Sequence, residues 1–587
     1  MDQRWFEMAD IRRRKLAGAV WIPLRASQHL EEVGRFGYEG HKSEFLGVGT
    51  LAVPVKNKVE AETLGWMEVG LRHNHCGYIQ DGEYIAADVY RDNDGRFSGV
   101  HLVLDQRGTS LEHSEWHLHQ DLVIALGLKR EADVWVRPDE GYVEVAKLHR
   151  NADGSPCLLE IRASHLRDYL CARDMALLVA SYRDRVEVFR DPPHLSWPEN
   201  PLQVIEGNDR WEGRIDEIHE GGMPHGEKVA VFHVARTDPV ADEDVPTLGL
   251  PSDDNTTFDS WTRGHTGEKL FRVEGELWRT EWIEPASASP IVRGDETPPT
   301  VYFITDAEGR QENKETLAEG GRWLWFRPEV MPALAHRRGG ALEWYTRDTG
   351  NVRCSPDYGV HFGVNPLGLI NVYAKDIVLL PEWQQRIWAG YNVSPDGRVC
   401  EELLAAQVAA EPANTQAPEA FLGVGLLRLK EVAERELGKV IIREHDQIQD
   451  LLARAHRFRS TDQEGLFALA KDLARLTADS IDASALQEIV SPPKGTKWGS
   501  LKSLENVLAS RIDPTRARSL LSPLVGIYEL RHADAHLASK DSADALDLVL
   551  VDRSAPYVVQ GYQMLHACVS AIFGICKVIE TWGSGEA

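Results

Sequence analysis

Apolar and polar positions change rhythm once along this chain of 587 residues. Before about residue 410, short β-branched and aromatic runs alternate with Gly, Asp and Asn turns, a strand pattern. Tyr84–Tyr90, the turn RDNDGRFSG and Val100–Leu104 predict one hairpin; Val143–Leu148, HRNADGSPC and Leu158–Ile161 predict another. Frequent Trp and Tyr suit half-buried strands. Beyond 410, apolar residues recur at threes and fours. The spacing predicts helices over Phe421–Leu437, Ile441–Phe458, Gly465–Ile481, Leu501–Ser510, Ala517–His536 and Tyr557–Thr581.

Breaks in this pattern outline domains. Ala409–Ala417 (AAEPANTQA) has linker composition, and Pro239–Ser260 and Glu284–Pro299 are rich in turn formers. The reading is a multidomain α+β chain. A β-rich domain of antiparallel sheets with short helices spans 1–238, and a second β-rich domain spans 239–408. A linker follows at 409–417, then an all-α domain at 418–587. Leu158–Tyr182 and Trp323–Tyr345 both read as strand, short helix, strand, after Asp153-Gly154 and Glu308-Gly309 turns. A weak duplication and a shared local habit both account for this.

Charge adds an asymmetry. The chain carries 65 Lys+Arg against 91 Asp+Glu, a net charge of −26. Residues 421–587 hold 20 and 22 of these, so nearly all excess acid lies in the β-rich part. A general coating of nucleic acid is excluded, and any contact with it is a local patch. One candidate patch is Lys494, Lys497, Lys502, Arg511, Arg516 and Arg518; Arg454, Arg457 and Arg459 form a shorter cluster that reads as a solvated helix face. Seven scattered cysteines without a CxxC favour free, buried thiols in a reducing compartment. No apolar leader opens the sequence. The apolar stretch Tyr562–Val578 contains Gln563, His566 and Lys577, and reads as a core helix too short and polar for a membrane span. A cytoplasmic protein with no membrane partner is expected.

Chemistry-bearing motifs are few. No P-loop, GxSxG or HExxH occurs, and the GxG at Gly47 and Gly49 precedes no helix signature. His73, His75, Cys76, His101, His113, His117 and His119 gather in one stretch, as metal ligands or as polar strand faces. The informative segment is Glu529-Leu530-Arg531-His532-Ala533-Asp534-Ala535-His536, where an apolar helix turns abruptly polar. Arg531 and His536 fit an R-x4–6-H pattern. The segment, within an all-helical stretch at 418–587, resembles the HEPN domain of prokaryotic RNase toxins, abortive-infection proteins and RNA-targeting CRISPR effectors. The position after the Arg is frequently Asn in that family and is His532 here.

The resemblance implies a metal-independent endoribonuclease without cofactor, acting in anti-phage defence or as a toxin. Arg531, His536 and His532 would be catalytic, with Asp534 and Glu529 in support. The partners implied are RNA, a second copy of the chain and a phage-derived trigger, with the β-rich part as sensor. The residues suit this chemistry in themselves. A histidine exchanges protons near neutral pH, and an arginine holds phosphate oxygens bidentately. On a regular helix the two lie about 140° apart, which favours a cleft shared by two protomers. Other readings stay open: an ordinary Arg531–Asp534 ion pair on a wet face, a non-catalytic dimerisation or binding module, or a metal site through Glu529, His532 and His536.

Overall fold

Strands in the first part alternate buried and exposed side chains, and this alternation builds an antiparallel sheet. In β1 (Trp21–Val33), Ile22, Leu24 and Ala26 point into the core. The computed structural model describes residues 2–71, 77–91, 95–106, 114–222, 228–237, 255–264, 267–443, 446–531 and 540–582. It shows a mixed protein, β-rich in its first part and helical in its last. The ten strands that run through the main sheet are β1, β2 (Lys42–Pro54), β3 (Lys129–Glu131), β4 (Val134–Arg137), β5 (Val143–Arg150), β6 (Pro156–Arg162), β7 (Met175–Phe189), β8 (Leu202–Glu206), β9 (Asp209–His219) and β10 (Lys269–Ile283). Their order is β8-β9-β10-β7-β2-β1-β6-β5-β4-β3. Helix α1 (Ala163–Arg173) packs Leu166, Tyr169 and Leu170 against this sheet.

The chain divides between Thr297 and Pro298, not at the expected 238/239 boundary. Strand β10 pairs with β7 and β9 along its length, so residues beyond 239 complete the first sheet. The Pro/Asp-rich stretch instead separates the two strands of a hairpin, Lys228–Thr237 and Asn255–Gly264. Hairpin connections and linkers share one composition. The 143–161 hairpin forms as β5–β6. The 84–104 hairpin is split: Glu83–Ile85 pairs with Tyr78–Gln80, and Val89–Arg91 with Ser98–Val100.

Gly47 and Gly49 have a packing role. A Cβ on Gly47 would lie 2.5 Å from the Trp66 ring, and one on Gly49 2.6 Å from the Gly70 backbone. The missing side chains leave room for residues 66–70 to lie close on β2.

The second unit holds a six-stranded antiparallel sheet and the helices. Its strands are β11 (Trp323–Phe326), β12 (Ala341–Trp344), β13 (Thr349–Arg353), β14 (Gly359–Val364), β15 (Ile370–Tyr373) and β16 (Asn392–Val393), in the order β12-β13-β14-β15-β11-β16. With α2 (Val330–Ala335), β11 and β12 make the expected strand–helix–strand, as do β6, α1 and β7. Three strands separate β11 from β12, but two separate β6 from β7. The likeness is therefore local and does not extend to topology.

Its longer C-terminal helices are α3 (Glu419–Leu437), α4 (Ile448–Arg454), α5 (Gln463–Leu476), α6 (Ser500–Ala509), α7 (Pro514–Leu530), α8 (Lys540–Leu548) and α9 (Tyr557–Glu580). Their apolar stripes, such as Leu422, Leu426, Leu429 and Val432 on α3, form one core. Helix α9 runs 24 residues, within one residue of the expected span and longer than its apolar stretch Tyr562–Val578, and by length and composition alone it could cross a membrane. Here Met564, Leu565, Cys568, Ile572 and Ile575 are buried in the bundle.

The expected 441–458 helix is broken. Ile442 bridges to Ile481, α4 follows, and a 3-10 turn covers Arg457–Arg459. Arg457, expected on a wet face, is 1% exposed. Its Nε and Nη2 donate to the Glu419 carboxylate at 2.7 and 3.0 Å, and Nη1 donates to Asp348 at 3.3 Å. The Trp344 and Tyr562 rings lie 4.2 and 4.5 Å from its guanidinium. Burial alone pushes the Glu419 carboxyl up, but the Arg457 charge and hydrogen bonds hold it below the usual carboxylate range. Nearby, Thr415 donates to Glu402 at 3.0 Å and accepts from the Arg347 amide at 3.0 Å. The stretch with linker composition is thus pinned within the second unit.

Two predictions follow from these burials. Arg457→Met strands a buried carboxylate and costs roughly 3–5 kcal/mol, whereas Arg457→Met with Glu419→Gln costs less; hydrogen exchange of α3 amides in the full chain measures both. In the first unit, burial and then the charges of Glu274 and Glu276 push Asp184 up to about 7. A carboxyl raised in the fold stabilises nothing when ionised. Stability is fully present below about pH 4 and is lost as pH rises towards 7. Asp184→Asn therefore leaves β7 protection unchanged at pH 4 and raises it by roughly 2–4 kcal/mol at pH 8.

Candidate anion site at the end of the core helix

Helix α7 buries Leu521, Leu524, Ile527 and Leu530 at helical spacing and then stops. Arg531 is its C-cap, and its amide donates to the Ile527 carbonyl at 3.3 Å. A cation at this end complements the helix dipole. The expected continuation towards His536 lies outside the described residues, as do His532 and Asp534. Glu529 is exposed. Among the described residues, Asp479, 52 positions upstream in the chain, brings a carboxylate to Arg531. Arg531 Nη1 donates to both Asp479 carboxylate oxygens. Its Nη2 donates to the Tyr528 hydroxyl at 3.2 Å, and its guanidinium lies 4.1 Å from the Tyr528 ring.

Asp479 sits in the turn after α5. Its amide donates to the Ala474 carbonyl at 2.9 Å, and the Ser480 hydroxyl donates to Arg475 at 2.6 Å. The Arg443 amide reaches the Ser480 carbonyl at 2.8 Å, beside the Ile442–Ile481 bridge. That docking lets Arg443 Nη2 donate to the Asp479 carbonyl at 2.7 Å. Two guanidiniums therefore converge on one aspartate. Sequence reasoning missed Asp479 and Arg443, because only tertiary folding joins residues 443, 479 and 531.

The six-residue basic patch is divided by the fold. All six cations are exposed. Helices α6 and α7 form an antiparallel pair joined by a short turn. Ser500 donates to the Ala478 carbonyl at 2.6 Å, so the loop carrying Lys494 and Lys497 lies at the Arg531 end. Arg516 begins α7 and is about 22 Å of helix rise from Arg531. Lys502 and Arg518 share Glu505, at 2.8 and 3.5 Å, and Arg511 lies 4.8 Å from the Trp582 ring. Arg516 instead lines a cleft of about 470 Å³ between α7 and α9, with Tyr562, His566 and Ser570.

The histidine-rich stretch of the first unit is dispersed over separate partners. His101 is buried against the Thr50 carbonyl at 3.3 Å, and burial pulls it down to about 4. His117 faces Arg130 at 3.0 Å, while His119 meets Asp88 at 2.9 Å and accepts from the Asp121 amide. His73, His75, Cys76 and His113 lie outside the described residues. Among the described residues, no group of three His, Cys, Asp or Glu is arranged to hold a metal ion. His117 and Arg130 line a cavity of about 520 Å³ over Trp135.

The Arg531 and Asp479 side chains are 22% and 38% exposed. Half-exposed pairs contribute little, so Arg531→Ala and Asp479→Ala should each unfold within about 1 kcal/mol of wild type in urea. The arrangement brings two guanidiniums to one aspartate without committing core stability to them. Compared with protein-family models, curated proteins and solved structures, the chain matches none.

Proposed function

We propose that the chain is a metal-independent endoribonuclease of an anti-phage defence or toxin system, with its β-rich part as sensor and regulator. The observation that carries this reading is Arg531. It follows a buried helix, remains partly exposed beside a second guanidinium, and stands five positions before His536. The likeness to the HEPN pattern supports the same reading. Lys494 and Lys497, at the same end, suit the approach of an RNA backbone.

In this reading His536 takes the proton from a ribose 2′-hydroxyl. The 2′-oxygen bonds to the adjacent phosphorus, and the bond from phosphorus to the 5′-oxygen breaks. The leaving oxygen collects a proton, and the products are a 2′,3′-cyclic phosphate and a 5′-hydroxyl. Arg531 holds the non-bridging oxygens, whose charge grows in the transition state. His532 assists or positions, and Asp534 and Glu529 support. Two protomers would complete one cleft. A second reading, a non-catalytic binding module, draws on the Arg531–Asp479 pair itself and on exposed Val424 and Leu427 of α3.

Expression of wild type beside Arg531→Ala and His536→Ala, with total RNA examined during phage infection, separates the two. The nuclease reading expects fragments with cyclic-phosphate ends, reduced at least about 100-fold by either substitution. Intact RNA throughout, from folded protein, would leave the binding module.

A further inference from the structure

We propose that Asp479 is an internal occupant of a phosphodiester site walled by Arg531 and Arg443, and acts as a brake on RNA engagement; this deepens the ribonuclease reading and rests on it. A carboxylate and a phosphodiester offer the same thing to a guanidinium: two oxygens sharing one negative charge. Arg531 Nη1 already addresses both oxygens of Asp479. Arg443 Nη2 donates to the carbonyl of that same residue at 2.7 Å, so both cations are registered on one turn. The turn is fixed by its own backbone bonds to Ala474 and Thr477 and by the Arg443 amide. The carboxylate is therefore the part free to rotate aside. Tyr528 steadies Arg531 when it does, through the ring 4.1 Å away and the hydroxyl at 3.2 Å. Both paired side chains are partly exposed, so exchange of carboxylate for phosphate needs no opening of the core.

The proposal assigns Arg443 as a phosphate-binding residue and Asp479 as the group that RNA must displace. Asp479 then sets a threshold: a backbone held by several contacts displaces it, and a weakly held one does not.

The test uses the full chain and a fluorescent 2′-O-methyl oligoribonucleotide, which cannot be cleaved, in anisotropy titrations. Asp479→Asn is expected to bind about tenfold tighter than wild type, and the gain should vanish in Asp479→Asn with Arg531→Ala. Arg443→Gln should weaken binding and lower the salt slope by about one. An Asp479→Asn gain that persists without Arg531 would mean simple removal of negative charge and would overturn the proposal. So would binding no tighter than wild type, with thermal unfolding unchanged. A parallel all-ribose oligonucleotide tests the parent reading. If the binding cycle behaves as expected but nothing is cut, the phosphodiester site stands and the nuclease reading falls. If Arg531-dependent cutting occurs while the cycle shows no coupling, the nuclease reading stands and the occupant falls.

Discussion

A single buried cation holds the second unit together. Arg457 brings its charge to a place where water cannot follow, and five groups from four parts of the chain are committed to it: Trp344, Asp348, Glu419, Tyr562 and the turn that carries it. Taking an ion out of water costs several kcal/mol, and only near-complete pairing recovers that. The start of α3, the first turns of α9 and the edge of the smaller sheet must therefore arrive in register. Phe458, the next residue, stacks on Trp344 with ring centroids 5.5 Å apart, adding apolar contact to the ionic one. The helices cannot be treated as a separable module beginning at 418, because Trp344 and Asp348 would be left behind.

The proposed anion site is built differently. Arg531, Arg443 and Asp479 sit at the rim, where solvent screens them and rearrangement is inexpensive. Among the described residues of this unit, Arg457 is paired in the core, whereas Arg531 and Arg443 are paired nearer the surface. Burial distinguishes them, since the side chain is the same in each. Arg454 and Arg459 fall between, both facing the Asp472 carboxylate at 3.2 and 3.8 Å.

How much was legible beforehand depended on range. Periodicity located α3, α5, α6 and α9 to within a few residues, because each repeats one buried stripe over several turns. It failed at 441–458, where Ile442 bridges to Ile481 and Arg457 turns inward, because helical spacing does not register either contact. Turn-rich composition marked hairpin connections and the true division equally, so one boundary at 238 was misplaced while the stretch at 284–299 contained the real one. Arg531 could be singled out from its local contrast with the apolar helix before it. Asp479 could not, since nothing in ADSID announces a partner 52 residues away. Local signals reveal what one segment does by itself, and pairing across the fold is not such a signal.

Tyr562 belongs to two places at once. Its ring supports Arg457, and it also lines the cleft between α7 and α9. The cleft and the ionic centre consequently share a wall. Any molecule that wedges into the cleft leans on the same ring that the guanidinium leans on, so its affinity is set partly by how rigidly the small sheet and the bundle are joined. Occupancy of the groove and cohesion of the unit become a single thermodynamic account, read from either side of one aromatic ring.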